Sequence, residues 1–130
     1  MGRDGVTNRV LYIEDNPDIV RLVQSSLEER GYEFHWAQDG VSGLQLAEQL
    51  LPDVILLDIS LPDVDGFEVA RRLRRSTISE LTYTPIIAIV ANALRGDVEK
   101  ALAAGCDVSI AKPINLRELW MRLESFWINK

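Results

Sequence analysis

Residues 53–68 read DVILLDISLPDVDGFE, and this stretch decides the fold class. Its four consecutive apolar residues, 54–57, predict a short strand that is buried on both faces, as the strands of parallel sheets are. Asp58 follows the apolar run directly, and a pattern with helical spacing begins near Gly66. The stretch therefore predicts a strand, a loop and a helix in succession, which is the repeating unit of an α/β protein.

The rest of the chain continues this alternation of strands and helices. Apolar runs predict strands at residues 9–13, 86–90 and 108–111, with a weaker, aromatic-bearing strand at 33–37. Helical spacing predicts five helices, at residues 17–30, 41–51, 66–75, 95–104 and 116–127. The polar stretch 76–84 is interpreted as a loop, and the four arginines between 71 and 75 as a solvated helix end. Five strands and five helices in alternation predict a doubly wound parallel sheet covered on both faces.

Composition and charge exclude several classes of protein. The 130 residues suffice for one domain with a buried core. A net charge of −6, from 14 basic and 20 acidic residues, argues against direct binding to nucleic acid. No apolar run approaches the roughly 20 residues of a membrane span. Cys106 is the single cysteine, and the polar N-terminus lacks a secretory segment, so we expect a cytoplasmic protein with a flexible tail at residues 1–8.

Charged residues follow three of the predicted strands. Glu14 and Asp15 follow the first strand, Asp58 ends the third, and Lys112 follows the fifth. Because the carboxyl ends of parallel strands meet at one edge of the sheet, we expect these side chains to share a site. Crowded carboxylates repel one another, and Mg²⁺, which prefers oxygen ligands, would relieve that repulsion. A carboxylate beside a metal ion and a lysine is suited to attack phosphorus and become an acyl phosphate.

Each of these residues also has an ordinary structural interpretation. An aspartate at a strand end, such as Asp58, is often only a turn or cap residue. Glu14 and Asp15 precede Asn16 and could belong to the start of a helix. Their joint placement at three strand ends nevertheless favours a functional site.

The sequence resembles a receiver domain of bacterial two-component response regulators. The likeness covers roughly residues 9–127 and rests on VLYIEDN at 10–16, DVILLDISLPDVDGFE at 53–68, PIIA at 85–88, GCD at 105–107 and AKP at 111–113. A flavodoxin of the same architecture would carry a Ser-, Thr- or Gly-rich phosphate loop after the first strand, and EDNP at 14–17 is no such loop. A haloacid dehalogenase phosphatase would carry a second aspartate where Ser60 stands.

The resemblance implies a flavodoxin-like fold with strand order 2-1-3-4-5 and a receiver domain over residues 9–130. It implies that Asp58 accepts a phosphoryl group from a sensor histidine kinase or a histidine phosphotransfer protein, with Mg²⁺ as cofactor. Asp15 would bind the metal directly and Glu14 through a water, and Asp58 and the backbone carbonyl of Ser60 would complete the ligand set.

The resemblance also assigns the surroundings of the phosphoryl group. Lys112 would pair with it, and Pro113 would follow that lysine in a cis peptide bond. The side chains of Ser60 and Asn92 would flank the group and tune its hydrolysis, and the backbone N–H of Ala91 would be a further donor.

Two positions depart from the pattern of the family. Val90 stands where the family has Ser or Thr, and Ser109 stands where it has Tyr or Phe. In the family the hydroxyl contacts the phosphoryl group and the aromatic ring rotates inward with it. Valine has the shape of threonine without the donor, so the sequence predicts phosphorylation that is weakly coupled to a conformational change.

Three functions stay open at this stage. The first is a stand-alone receiver that signals by contact with a downstream protein, since the chain ends at its fifth predicted helix; it would not be an enzyme beyond phosphorylating and dephosphorylating itself. The second is an interaction module that works without phosphorylation, which Val90 and Ser109 favour. The third is a domain excised from a hybrid kinase or multidomain regulator.

Overall fold

A computed structural model describes residues 8–91 and 96–128 of the chain. The elements, in chain order, are β1 Arg9–Ile13, α1 Pro17–Glu29, β2 Glu33–Ala37, α2 Gly40–Leu50, β3 Val54–Asp58, α3 Gly66–Arg74, α4 Ser79–Thr82, β4 Ile86–Val90, α5 Asp97–Ala104, β5 Val108–Ala111 and α6 Leu116–Ile128. All strand pairs are parallel, and the sheet order is β2-β1-β3-β4-β5. The predicted doubly wound fold and strand order are therefore confirmed, while residues 1–7 of the predicted tail lie outside the described part.

The prediction of five helices was wrong, because the described residues form six. Helix α4 occupies the segment that was predicted to be a polar loop. Leu81 is its one buried residue and packs into the core below it. The guanidinium of Arg74 donates hydrogen bonds to the carbonyls of Thr82 and Thr84 at 3.1 and 2.7 Å, which ties the segment to the end of α3. Arg74 is thus a structural anchor rather than part of a solvated helix end.

The sheet separates two apolar layers. Successive residues of each strand point to opposite faces, so that Leu11 belongs to the apolar layer shared with α2, α3 and α5, while Val10 belongs to the layer shared with α1 and α6. β3 and β4 are buried along their whole length, as continuous apolar strands of a parallel sheet should be. Among the described residues, every helix is too short or too polar to span a bilayer.

Local turn chemistry places the loops at the carboxyl edge of the sheet. The side chain of Asn16 caps α1 by accepting a hydrogen bond from the backbone N–H of Asp18, and Pro17 occupies the first helical position. After β3, the N–H of Gly66 donates to the carbonyl of Ile59 at 3.1 Å, which closes the loop tightly over the end of the strand. These two turns hold the residues that follow β1 and β3.

Candidate functional site

Three carboxylates meet at the carboxyl ends of β1 and β3. Glu14, Asp15 and Asp58 each place one oxygen within 4.8 Å of the others. Glu14 and Asp58 are each only 1% exposed, whereas Asp15 is exposed to solvent. The structure thus brings together the acidic residues that the strand-end argument selected from distant parts of the sequence.

Lys112 reaches the same cluster from the loop after β5. Its ammonium nitrogen lies 3.1 Å from Oδ1 and 3.3 Å from Oδ2 of Asp58. The backbone N–H of Lys112 donates to the carbonyl of Val90, so β4 fixes the start of the loop. The peptide bond between Lys112 and Pro113 is cis, as the resemblance implied. One ammonium group therefore faces three carboxylates.

Glu14 is held by two further hydrogen bonds and carries an unusual pKa. The hydroxyl of Tyr12 donates to Oε1 at 3.1 Å, and the backbone N–H of Asn16 donates to Oε2 at 3.0 Å. Burial raises the pKa of Glu14 to about 7; the Asn16 N–H opposes this shift and the negative charge of Asp58 adds to it. Burial and the neighbouring Glu14 also raise the pKa of Tyr12. Both shifts arise mainly from burial of the two side chains, and neighbouring negative charge adds to each.

The donor set fits Mg²⁺. Glu14, Asp15 and Asp58 offer hard carboxylate oxygens, without the sulfur or imidazole ligands that softer metals prefer. The backbone N–H of Ser60 donates to Oδ1 of Asp58 at 3.0 Å, so residue 60 turns back toward the acid. The three acids are the residues that would hold the ion, and the two charges of Mg²⁺ would offset the repulsion among them, while the role of the Ser60 carbonyl as a ligand stays a prediction.

The remaining predicted positions belong to β4, to β5 and to the residues that follow β4 in the sequence. Val90 is fully buried, and its side chain packs into the core on the α2 side of the sheet. Ala91 follows it and is exposed, while Asn92 lies outside the described residues. Ser109 pairs with Ala88 in the sheet and is half-buried. Neither Val90 nor Ser109 supplies the group that the family uses at its position.

Sequence reasoning missed two aromatic residues that contact Glu14. Tyr12 lies two residues before Glu14 and so on the same face of β1, a relation that strand alternation could have revealed. The indole N–H of Trp36 donates to the backbone carbonyl of Glu14 at 2.6 Å. Finding Trp36 required the register of β1 against β2, in which Tyr12 pairs with Trp36.

Comparison with known proteins agrees with this geometry. The response regulator receiver domain family matches residues 10–124. The polar-differentiation response regulator DivK of Brucella ovis is 36% identical over 121 residues, which cover 93% of this chain and 97% of that protein.

Two solved structures are similar to this chain over nearly its full length. The chemotaxis response regulator CheY4 of Vibrio cholerae has a TM-score of 0.85 at 28% identity, covering 93% of this chain and 99% of that one. The receiver domain of the sensor histidine kinase PA1611 of Pseudomonas aeruginosa, which has a magnesium ion coordinated in its active site cleft, has a TM-score of 0.85 at 35% identity, covering 93% and 98%. The sequence match, the sheet order and the cluster at its edge show that this chain belongs to the response regulator receiver domain family of two-component signalling.

Proposed function

We propose that Asp58 accepts a phosphoryl group from the phosphohistidine of a sensor histidine kinase or a histidine phosphotransfer protein, in a reaction that requires Mg²⁺. The observation that carries this proposal is the setting of Asp58. It is a buried carboxylate with Lys112 against both of its oxygens and with Glu14 and Asp15 beside it. The proposed output is contact with a downstream protein.

The chemistry follows from these contacts. An oxygen of Asp58 attacks phosphorus, the P–N bond of the phosphohistidine breaks, and the imidazole leaves with the electron pair and takes up a proton. Bound Mg²⁺ would offset the negative charge on the phosphoryl oxygens. Lys112 is close enough to pair with a phosphoryl oxygen once Asp58 has become an acyl phosphate, and the Ser60 N–H holds the carboxylate in one orientation.

An apolar cavity beside the site supports a protein as the phosphoryl donor. The cavity has a volume of about 360 Å³ and is lined by Ile19, Leu22 and Pro113 next to Glu14 and Lys112. Leu22 lies on α1 and is 58% exposed, which is high for a large apolar side chain. A donor protein that covers this cavity would bring its phosphohistidine to the edge of the sheet where Asp58 lies.

Removal of Mg²⁺ should abolish phosphorylation of the wild-type chain. Incubation with acetyl phosphate and Mg²⁺ should give a retarded band on a phosphate-affinity gel, and EDTA should remove that band because the crowded carboxylates then lack their counterion. Adding Mg²⁺ in excess over EDTA is the control and should restore the band. Equal labelling with and without EDTA, or no labelling by acetyl phosphate, phosphoramidate or a phosphorylated histidine phosphotransfer protein, would contradict the proposal.

A second candidate function rests on Val90. Because Val90 is fully buried and has no hydroxyl, phosphorylation has one contact fewer with which to favour a second conformation. A receiver of this kind would serve as an interaction module whose contacts do not depend on phosphorylation. The acids and Lys112, which are all in place, weigh against this alternative.

Replacing Val90 with Thr should enlarge the structural response to phosphorylation. We expect hydrogen exchange in β5 and α5 to change on addition of Mg²⁺ and acetyl phosphate in Val90→Thr, and to change much less in the wild type, because threonine adds a donor of nearly the same shape. Val90→Ala is the matched control, since it alters packing without adding a hydroxyl. The same response in wild type and Val90→Thr would refute weakened coupling at this position.

A further inference from the structure

The tryptophan at the end of β2 contacts the segment that carries two of the proposed metal-binding acids. We propose that Trp36 is a positioning residue that sets the Mg²⁺ affinity of the site by fixing the peptide between Glu14 and Asp15. Its indole N–H lies 2.6 Å from the carbonyl oxygen of that peptide. This inference rests on the proposed function, because it assumes that the acids bind Mg²⁺.

Trp36 completes the hydrogen bonding of Glu14 at the edge of the sheet. The backbone N–H of Glu14 donates to the carbonyl of Ala37 at 3.0 Å, which continues the pairing of β1 with β2 by one residue. β2 ends at Ala37, and the side chain of Trp36 turns back to supply the donor for the carbonyl of Glu14. The backbone of Glu14 is therefore held on both sides by the same edge strand.

Fixing this carbonyl also restricts Asp15. The carbonyl of Glu14 and the N–H of Asp15 belong to one planar peptide group, so a hydrogen bond to the oxygen orients the whole unit and the Cα of Asp15 with it. Asp15 is exposed, so packing contributes little to its position. The orientation of the backbone on its N-terminal side therefore largely determines where the carboxylate of Asp15 lies.

The need for such a brace comes from the charges at the site. Glu14, Asp15 and Asp58 lie within 4.8 Å of one another, and their repulsion favours spreading of the loop after β1 before a cation binds. A hydrogen bond that keeps the loop in place lowers the cost of ordering it when the ion arrives. Contacts of this kind behind metal ligands commonly change metal affinity by about 10- to 100-fold when they are removed.

Trp36 is also the contact that can be altered with least damage to the core. Tyr12, which holds the carboxylate of Glu14, is fully buried, whereas Trp36 is 40% exposed. A change at Trp36 that removes only the N–H therefore leaves the packing of the sheet nearly intact. Such a change therefore tests the position of the acids at the site without a large change in the free energy of unfolding.

The test compares Mg²⁺ binding in Trp36→Phe and in the wild type by isothermal titration calorimetry. We expect the dissociation constant to rise about fivefold to tenfold in Trp36→Phe, near the lower end of effects behind metal ligands because the loop is at the surface. Trp120→Phe is the matched control. Its indole N–H also donates a hydrogen bond of 2.6 Å, to the hydroxyl of Ser26. Ser26 lies about 13 Å along α1 from the end of the helix that is near the site, so loss of this hydrogen bond should leave the Mg²⁺ affinity unchanged.

A second variant keeps the ring and removes only the donor. Replacement of Trp36 by 3-benzothienylalanine, in which sulfur stands for the N–H group, should weaken Mg²⁺ binding as much as Trp36→Phe does. Fluorescence provides a separate measurement in a chain that keeps Trp36 and carries Trp120→Phe and Trp127→Phe. The emission of Trp36 should change as Mg²⁺ is added, and the dissociation constant fitted to this change should equal the one found by calorimetry.

The outcomes distinguish this inference from the proposed function. Failure of the wild type to bind Mg²⁺ overturns the proposed function, and the role of Trp36 with it. Binding by the wild type with an unchanged dissociation constant in both Trp36 variants overturns the role of Trp36 alone. An equal loss of affinity in Trp120→Phe would also overturn it, because the effect would then belong to any lost indole hydrogen bond.

Discussion

Asp58→Asn should be unable to accept a phosphoryl group, with labelling by acetyl phosphate and Mg²⁺ reduced at least about a hundredfold because the nucleophile itself is removed. An amide oxygen is a poor nucleophile, and the neutral side chain loses the charge that holds Lys112 at 3.1 Å. The variant should fold, since asparagine has nearly the shape of aspartate and removes one of three crowded carboxylates. The measurement is the retarded band on a phosphate-affinity gel.

An aspartate outside the site provides the control for this experiment. Asp18 is exposed on α1 and pairs with the nearby Arg21, so Asp18→Asn should be labelled as the wild type is. Circular dichroism of both variants checks that they are folded. Persistent labelling of Asp58→Asn would mean that another group, Asp15 above all, accepts the phosphoryl group, and the assignment of Asp58 would then be wrong.

The acids and the lysine could be foreseen from the sequence because a parallel sheet collects the ends of its strands. Asp58 and Lys112 are 54 residues apart, yet each directly follows an apolar run that reads as a buried strand. Once the strand order is fixed, only β4 separates the ends of β3 and β5, a distance that a lysine side chain can span. The placement of Glu14 and Asp15 beside Asp58 requires in addition only a short turn after β1, and the helix-start residues Asn16 and Pro17 predict that turn.

Features that depend on register and on single long side chains could not be foreseen. The contact of Trp36 with Glu14 requires the pairing of β2 with β1 and one particular rotamer, neither of which leaves a periodic signal. Helix α4 is only one turn long, and its single buried residue, Leu81, is hidden in a polar stretch. Arg74 resembles its three neighbouring arginines in sequence, and only the fold turns it inward to the carbonyls around α4.

The absence of a hydroxyl at Val90 fits the apolar surroundings of this residue in the structure. Val90 is part of a β4 strand that is apolar and buried from end to end, so its methyl groups stabilise the core where the family places a polar group. The proposed acceptance of a phosphoryl group depends on the side chains of Asp58, Lys112 and the acids after β1, whereas Val90 contributes its backbone carbonyl, which accepts the hydrogen bond from the N–H of Lys112. A change at the side chain of residue 90 should therefore alter the proposed response to phosphorylation more than the proposed acceptance of the phosphoryl group.

Gly66→Ala should lower the free energy of unfolding by about 2–4 kcal/mol, because the added methyl group meets backbone rather than a movable side chain. A Cβ on Gly66 would lie 2.5 Å from the Cα of Ile59 and 2.8 Å from the carbonyl oxygen of Asp58. The same glycine donates its N–H to the carbonyl of Ile59 at 3.1 Å, so relief of the clash also strains that hydrogen bond. Urea unfolding measures the loss.

Gly31→Ala separates this steric effect from the conformational freedom of glycine. Gly31 has φ of +89° and nothing within 4 Å of an added Cβ, so alanine there should cost only about 1–2 kcal/mol of backbone strain. At Gly66 the constraint is different, because an added Cβ would meet close backbone contacts. Because its loop begins at Asp58, Gly66→Ala should also weaken Mg²⁺ binding, whereas Gly31→Ala should not. A loss of stability at Gly66 no larger than at Gly31 would show that the loop after β3 can move aside, and that this glycine does not hold Asp58 in place.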